Sequence, residues 1–135
     1  MDDSGSMIDS VSLIDEWYVK AQEDIDTARH MQTFWRTPIS VVCYHCQQAG
    51  EKILKGILAQ TGGEVPRTHQ LGTVLSALND SRLEHIRKAC DQLTDYAVTS
   101  RYPTAFEHTD ADLKIAIDAL DLIMDAVAGI GYPIE

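Results

Sequence analysis

The segment "CYHCQQAGEK", residues 43–52, contains a Cys-x-x-Cys pair, Cys43 and Cys46, with His45 between them. Thiols at this spacing can bind zinc or form a redox pair. A structural zinc site needs four converging ligands, and no second Cys or His pair at a suitable spacing follows. A thioredoxin-type pair needs a preceding strand and a helix N-terminus at the first Cys. Neither condition is met, so the sequence predicts no metal, no cofactor and no thiol chemistry here.

The same pair fits a packing role in a helix. At about 100° per residue, Cys43 and Cys46 lie about 60° apart, inside an apolar stripe that also carries Ile39 and Ile53, whereas His45 points off that stripe. Cys90 occupies a similar apolar position on a later helix. Free Cys behaves as a small hydrophobic residue when buried. The three thiols are therefore predicted to lie in a hydrophobic core.

Apolar residues recur at the helical period along the chain, and no segment alternates at period two. Helices are predicted at about 12–34, 38–60, 69–78 and 81–97, with a fifth after a Thr109–Asp112 capping box. Thr37 and Thr68 are predicted as N-caps, the former with Pro38 at the first helical position. These elements predict an all-α fold, an up-and-down four-helix bundle with an additional short helix. The predicted organisation is a flexible acidic N-terminus (1–11), one helical domain (12–130) and a C-terminal tail (131–135).

Charge and composition limit the possible functions. The net charge of -10 argues against strong non-specific nucleic-acid binding. Residues 29–69 reverse that sign, with five basic and two acidic residues, and could present a basic surface. The most apolar stretch is interrupted by Asp118, Asp121 and Asp125, so no membrane association is expected. Three cysteines and an acidic, polar N-terminus without secretory character favour the cytoplasm.

Several segments in order resemble one family. "AQEDIDTA" (21–28), "QQAGEKILKGIL" (47–58), "VPRTHQL" (65–71) and "LTDYAVTSRYP" (93–103) are similar to the HEPN domain family (higher eukaryotes and prokaryotes nucleotide-binding). The resemblance spans roughly residues 14–127. It implies a five-helix, HEPN-like fold built on a four-helix bundle, usually as a homodimer. It also implies action beside a minimal nucleotidyltransferase, frequently in toxin–antitoxin or defence pairs.

Some family members are metal-independent ribonucleases with an Arg-(four to six residues)-His motif. Arg101 and His108 here are separated by six residues, "YPTAFE". Histidine can move the 2′-hydroxyl proton near neutral pH, and arginine can neutralise charge on the phosphate. Two positions depart from the pattern of active members, because Tyr102 replaces a small polar residue and Asp110 replaces a tyrosine.

A second candidate site surrounds the Thr68–His69 pair that matches the start of the family's third helix. His69 at a helix N-terminus, with Arg67 nearby, could bind a phosphate or nucleotide. Arg101 and Tyr102 are further candidate ligand-binding residues. The alternative is a structural His69 that is hydrogen-bonded between helices.

On the second helix, Gln47 and Glu51 are predicted to bond across a helix pair or a dimer seam, while Lys52 and Lys55 are predicted to face outward. Trp35 and Phe34 end the first helix, and exposure of either ring would indicate an interface.

These observations predict a HEPN-like nucleotide- or RNA-associated module that dimerises and acts with a minimal nucleotidyltransferase. Whether it is an enzyme is left open. The first alternative is a metal-independent endoribonuclease using Arg101 and His108. The second is a non-catalytic protein-interaction adaptor.

Overall fold

A computed structural model describes residues 3–97, 108–132 and 134, with side chains described from residue 15 onward. It contains five α-helices: α1 (Asp3–Met31), α2 (Ile39–Gln60), α3 (Leu71–Leu78), α4 (Arg87–Thr94) and α5 (Asp110–Gly129). A 3-10 segment, Ser81–Ile86, leads directly into α4. The described ranges contain no strand, so the predicted all-α, five-helix fold is confirmed. No helix in these ranges is long and apolar enough to cross a membrane.

The helix α2 is the centre of the fold, because it packs against all four other α-helices. It runs antiparallel to α1: Asp24 bonds to Lys52 in the middle of the pair, and Tyr18 bonds to Gln60 near its end. Apolar side chains form the core between the helices, and most of those on α1, α2 and α4 follow the predicted helical period, whereas α5 buries Ile123 rather than the predicted Ile117. Those with no exposed surface include Ile25, Val42, Cys43, Cys46, Ile53, Leu54, Leu71, Leu83, Cys90, Leu93 and Ile123.

Gly50 sets the distance between α2 and the two helices α3 and α4 that pack on it. A Cβ atom on Gly50 would lie 2.8 Å from Cδ2 of Leu71 and 3.0 Å from Cδ1 of Leu93. Both contacts are closer than carbon atoms normally approach. Gly50 thus lets α3 and α4 pack directly onto the backbone of α2.

The predicted bounds of the first two helices differ from the structure. The helix α1 begins at Asp3, earlier than the predicted start near Ser12, and ends at Met31. Thr37 does not cap α2, because its hydroxyl donates to the carbonyl of Phe34. Pro38 occupies the N-cap position, with a non-helical ψ of 87°, and α2 starts one residue later than predicted.

The third and fourth helices also differ. Gln70, not Thr68, is the N-cap of α3, and the Thr68 hydroxyl accepts a hydrogen bond from the Gln70 N–H. The predicted fourth helix is divided into the 3-10 segment and α4, since Asp80 accepts from the N–H of Arg82 and starts a tighter turn. The division of the chain into a flexible N-terminus, a domain and a tail stays a prediction.

The capping box at the start of α5 is confirmed. The Thr109 hydroxyl accepts from the N–H of Asp112, and the Asp112 carboxylate accepts from the N–H of Thr109. Asp112 also accepts a hydrogen bond from the Tyr96 hydroxyl at 3.0 Å. The cap therefore joins α5 to the residues that follow α4.

Candidate functional site

The three cysteines are packing residues, as predicted. Cys43, Cys46 and Cys90 are free thiols with no exposed surface. Burial raises the pKa of each thiol to about 12, which keeps them protonated at neutral pH. No group of three or more His, Cys, Asp or Glu side chains in the described ranges is arranged to hold a metal ion.

His45 belongs to a polar contact between α1 and α2. Its Nδ1 lies 2.8 Å from Oδ1 of Asp24, and Lys52 donates to the other oxygen of that carboxylate at 2.6 Å. Asp24 is buried, and both partners are only partly exposed. The hydrogen bonds to His45 and Lys52 compensate the cost of burying the Asp24 carboxylate. The cluster fastens α1 to α2 at a position where the sequence predicted only an outward-facing Lys52.

A second buried carboxylate, Glu51, organises the polar side of α2. Its Oε1 lies 2.8 Å from Nδ1 of His69 and 3.1 Å from the Nε2 donor of Gln47, while Oε2 accepts from Nζ of Lys55 at 3.2 Å. Gln47 also donates to the backbone carbonyl of His69 at 3.1 Å. Of the two predicted arrangements, bonding across a helix pair or across a dimer seam, these contacts show Gln47 and Glu51 joined to the connection before α3 within one chain. The prediction that Lys55 faces outward is wrong: it is 7% exposed, because Glu51 neutralises it inside the protein.

This network fixes the orientation of an exposed histidine. The His69 side chain is 60% exposed, whereas the Glu51 side chain that it contacts is 7% exposed. When the Glu51 carboxylate accepts this bond, Nδ1 carries the proton, and Nε2 is a donor only in the doubly protonated imidazolium. The Nε2 atom makes no hydrogen bond within the part of the chain that the structure describes. His69 can therefore offer Nε2 to a ligand from a fixed ring.

The predicted setting of His69 is corrected in one respect. His69 lies before α3, which begins at Leu71, so the site is not a helix N-terminus. The first backbone N–H of α3, that of Leu71, donates to the Thr94 hydroxyl. Arg67 precedes His69 on the same connection and is exposed. The side chains of Glu51 and Gln47 hold His69, the former at its ring and the latter at its backbone carbonyl.

His108 is held at the other end of α2. Its Nδ1 lies 2.8 Å from the Ser40 hydroxyl, and its ring packs edge-on against Tyr96, with centroids 5.2 Å apart. His108 is half-buried and directly precedes the capping residue Thr109. Arg101, the residue that was predicted to act with His108, lies outside the described residues, as does Tyr102. Tyr96 precedes Arg101 and Tyr102 in the sequence and His108 follows them, and the rings of Tyr96 and His108 are in contact.

The anchors of the two histidines share one face of α2. Ser40, Gln47 and Glu51 are spaced by seven and four residues, which returns each to within about 20° of the same direction. Ser40 and Glu51 are separated by about 16 Å along the helix axis, from a rise of 1.5 Å per residue. His69 and His108 are consequently both bonded to this face of α2, which we name the polar seam (Ser40, Gln47 and Glu51).

The sequence predicted both histidines but not their anchors. Spacing within α2 could have indicated Ser40, Gln47 and Glu51 as one face. Which of them would meet a histidine depends on where two connecting segments pass, and no local pattern records that. The Asp24–His45 contact was missed for the same reason.

The fold defines a class before any relative is considered: an all-α bundle with a polar seam on its central helix. The HEPN domain family model matches residues 14–130 of the chain. This protein belongs to the HEPN domain family.

Two solved structures are similar. An archaeal HEPN homologue, ST0689, shares 23% identity and a TM-score of 0.64, over 86% of this chain and 95% of its own. The protein TT1696 from Thermus thermophilus shares 27% identity and a TM-score of 0.64, over 85% of this chain and 93% of its own. At 23% identity the archaeal homologue supports the fold alone. No curated protein matches this chain by sequence.

Proposed function

We propose that this HEPN domain binds nucleotides or RNA through their phosphate groups at His69 and Arg67. It acts as a homodimer beside a minimal nucleotidyltransferase, in a toxin–antitoxin or defence pair. The ligand class and the partner come from the family resemblance. The contact between His69 and Glu51 supports the choice of His69 as the ligand-binding side chain.

The observation that carries the proposal is the contact between buried Glu51 and exposed His69. The bond of 2.8 Å fixes the ring at the protein surface with Nε2 directed away from its anchor. Phosphate oxygens only accept hydrogen bonds, so the ligand would bind the imidazolium form, in which Nδ1–H stays on Glu51 and Nε2–H is a second donor. A ring held in place loses less conformational entropy on binding than a freely rotating one. Arg67, with its five N–H donors, suits phosphate recognition on the same connection.

The acidic character of the whole chain limits the ligand. With a net charge of -10, the protein repels a long polyanion except where basic side chains are concentrated. A nucleotide or a short single strand presents few phosphates and needs few cations. Binding should accordingly show a shallow dependence on salt, since the slope reflects the number of phosphates neutralised.

Equilibrium binding of a labelled nucleotide and a labelled short RNA tests the proposal. The variants are His69→Gln and Arg67→Gln, with His85→Gln as the matched control, because His85 is an exposed histidine on the 3-10 segment. We expect His69→Gln to weaken binding by about tenfold, the scale of one charge-assisted hydrogen bond. Equal binding by the wild type and His69→Gln would refute the site.

A metal-independent ribonuclease is the second candidate function, favoured by the way His108 is held. The Ser40 hydroxyl and the Tyr96 ring restrict an imidazole next to the segment that contains Arg101. Restricted orientation is a requirement for general acid–base catalysis. RNA cleavage in EDTA that is lost in both His108→Ala and Arg101→Ala, with both variants folded, would support this candidate. Intact RNA after incubation with the wild type would exclude it.

A further inference from the structure

The turn between α1 and α2 exposes two aromatic side chains. Trp35 is 92% exposed and Phe34 is 46% exposed, the two most exposed aromatic rings among the large hydrophobic residues of the described ranges. A tryptophan has the largest apolar surface of any residue, and leaving it in water forgoes most of its burial energy. A side chain this exposed is available to a ligand without any change in the fold.

Each exposed ring is accompanied by a basic side chain. The Arg36 guanidinium lies over the Trp35 ring, 5.2 Å from its centroid. The His30 ring packs edge-on against Phe34 at 5.5 Å. An aromatic face next to a cation is the combination that binds a nucleobase by stacking and its phosphate by charge.

The charge around the turn also favours an anionic ligand. No Asp or Glu occurs between Asp26 and Glu51, although the chain as a whole carries a net charge of -10. This segment includes Arg29, His30 and Arg36. It is the longest acid-free segment of the sequence, although α5 brings Asp121 close to Arg29, so the cation beside Trp35 is Arg36.

The turn is also adjacent to the polar seam. It leads into the first turn of α2, where the Ser40 hydroxyl contacts His108. The seam itself is largely buried, since Gln47 has no exposed surface and Glu51 is 5% exposed. A strand bound at the exposed His69 and running over the surface toward His108 would reach the end of the bundle where this turn lies. Trp35 thus lies beyond the end of the polar seam at which Ser40 contacts His108.

We infer that Trp35 stacks on an unpaired base of a single-stranded RNA, with Arg36 contacting the adjoining phosphate. This inference rests on the proposed function, because it assumes that RNA binds at His69 and Arg67. It adds a recognition element that the phosphate contacts of His69 and Arg67 do not supply. Stacking tolerates any base but requires that the base be unpaired.

Two labelled strands of equal length test this inference: a short oligoadenylate and its abasic counterpart, which has the same phosphates without bases. Affinities are measured for the wild type, Trp35→Ala, Trp35→Phe and His69→Gln. Val19→Ala is the control, since Val19 is exposed at 55% on α1 away from the turn. The mass of each protein in solution is measured by sedimentation at the same concentration.

We expect Trp35→Ala to weaken oligoadenylate binding by about tenfold, within the range for one base–aromatic contact. Trp35→Phe should retain most of the affinity, and neither substitution should change binding of the abasic strand. His69→Gln should weaken both strands, because it removes a phosphate contact.

The contrary outcomes separate the two proposals. Failure of the wild type to bind either strand would overturn the proposed function and this inference with it. Binding of oligoadenylate that Trp35→Ala leaves unchanged would overturn this inference alone. Unchanged RNA binding with a smaller sedimentation mass for Trp35→Ala would assign the turn to a contact between copies of the chain instead.

Discussion

The Nδ1 atom of His69 lies 2.8 Å from Oε1 of Glu51, and through this contact a carboxylate in the interior fixes an imidazole at the surface. The opposite oxygen of Glu51 accepts from Lys55, which is itself buried. One side chain thus serves both the stability of α2 and the orientation of the proposed ligand-binding residue. The following predictions separate these two roles.

Substitution of Glu51 should affect stability more than any exposed change. Glu51→Gln leaves the buried ammonium of Lys55 without its counter-charge, and breaking a buried pair in this way costs about 3–5 kcal/mol. We expect a corresponding fall in the free energy of unfolding by urea. The double variant Glu51→Gln/Lys55→Met should recover much of the loss, because it removes the uncompensated charge. A loss that the double variant does not reduce would contradict the pairing.

Substitution of His69 should leave stability nearly unchanged. Its side chain is mostly in solvent, and exposed substitutions usually shift the free energy of unfolding by less than about 0.5 kcal/mol. We expect His69→Gln to unfold at the same urea concentration as the wild type, even though its ligand binding is reduced. A large destabilisation would indicate a structural role for His69.

The capping carboxylate of α5 should make stability depend on pH. The Asp112 carboxylate accepts hydrogen bonds from the Thr109 N–H and the Tyr96 hydroxyl, and these bonds lower its pKa. A carboxylate with a lowered folded pKa contributes stability above its unfolded pKa, and that contribution is lost as the pH falls through the folded value. We expect Asp112→Asn to cost about 1 kcal/mol at pH 7, the scale of a lost cap interaction. Urea unfolding of the wild type and the variant from pH 7 down to about pH 3 should show the difference shrinking below about pH 4. A constant difference would contradict the assignment.

The thiols should be unreactive in the folded protein. Because burial raises the pKa of Cys43, Cys46 and Cys90 to about 12, almost no thiolate is present at pH 8, and no thiol surface is exposed. In native buffer, a thiol reagent such as dithionitrobenzoate should react only as fast as the protein unfolds. In concentrated urea, where the protein is unfolded, it should react immediately. Rapid reaction of one thiol in the native state would show that its helix opens locally.

Local chemistry accounts for the parts of this fold that the sequence predicted well. The capping box of Thr109 and Asp112 is complete within four residues, and the packing of Cys43 and Cys46 follows from their angle on one helix. The Arg101–His108 pair was indicated by resemblance, and its geometry lies outside the described residues. The helix that was predicted from residue 81 is divided, because the Asp80 cap fixes a 3-10 turn that apolar periodicity does not reveal.

Contacts between distant segments account for what was missed. Lys55 was predicted to face outward because lysine seldom lies inside a protein, yet Glu51 one helical turn earlier compensates it. The same Glu51 meets His69 only because the connection after α2 returns across it. Each of these placements depends on tertiary packing, which overrides the preference of the single residue.

The most direct test of the central claim is to observe His69 itself during binding. Two-dimensional proton–nitrogen NMR of the imidazole groups, assigned with His69→Gln and His85→Gln, reports each Nε2 separately. On titration with a nucleotide or a short RNA, we predict a saturable shift of the His69 Nε2 resonance, while His85 stays constant. A ligand that saturates the protein without moving His69 Nε2 would contradict the account.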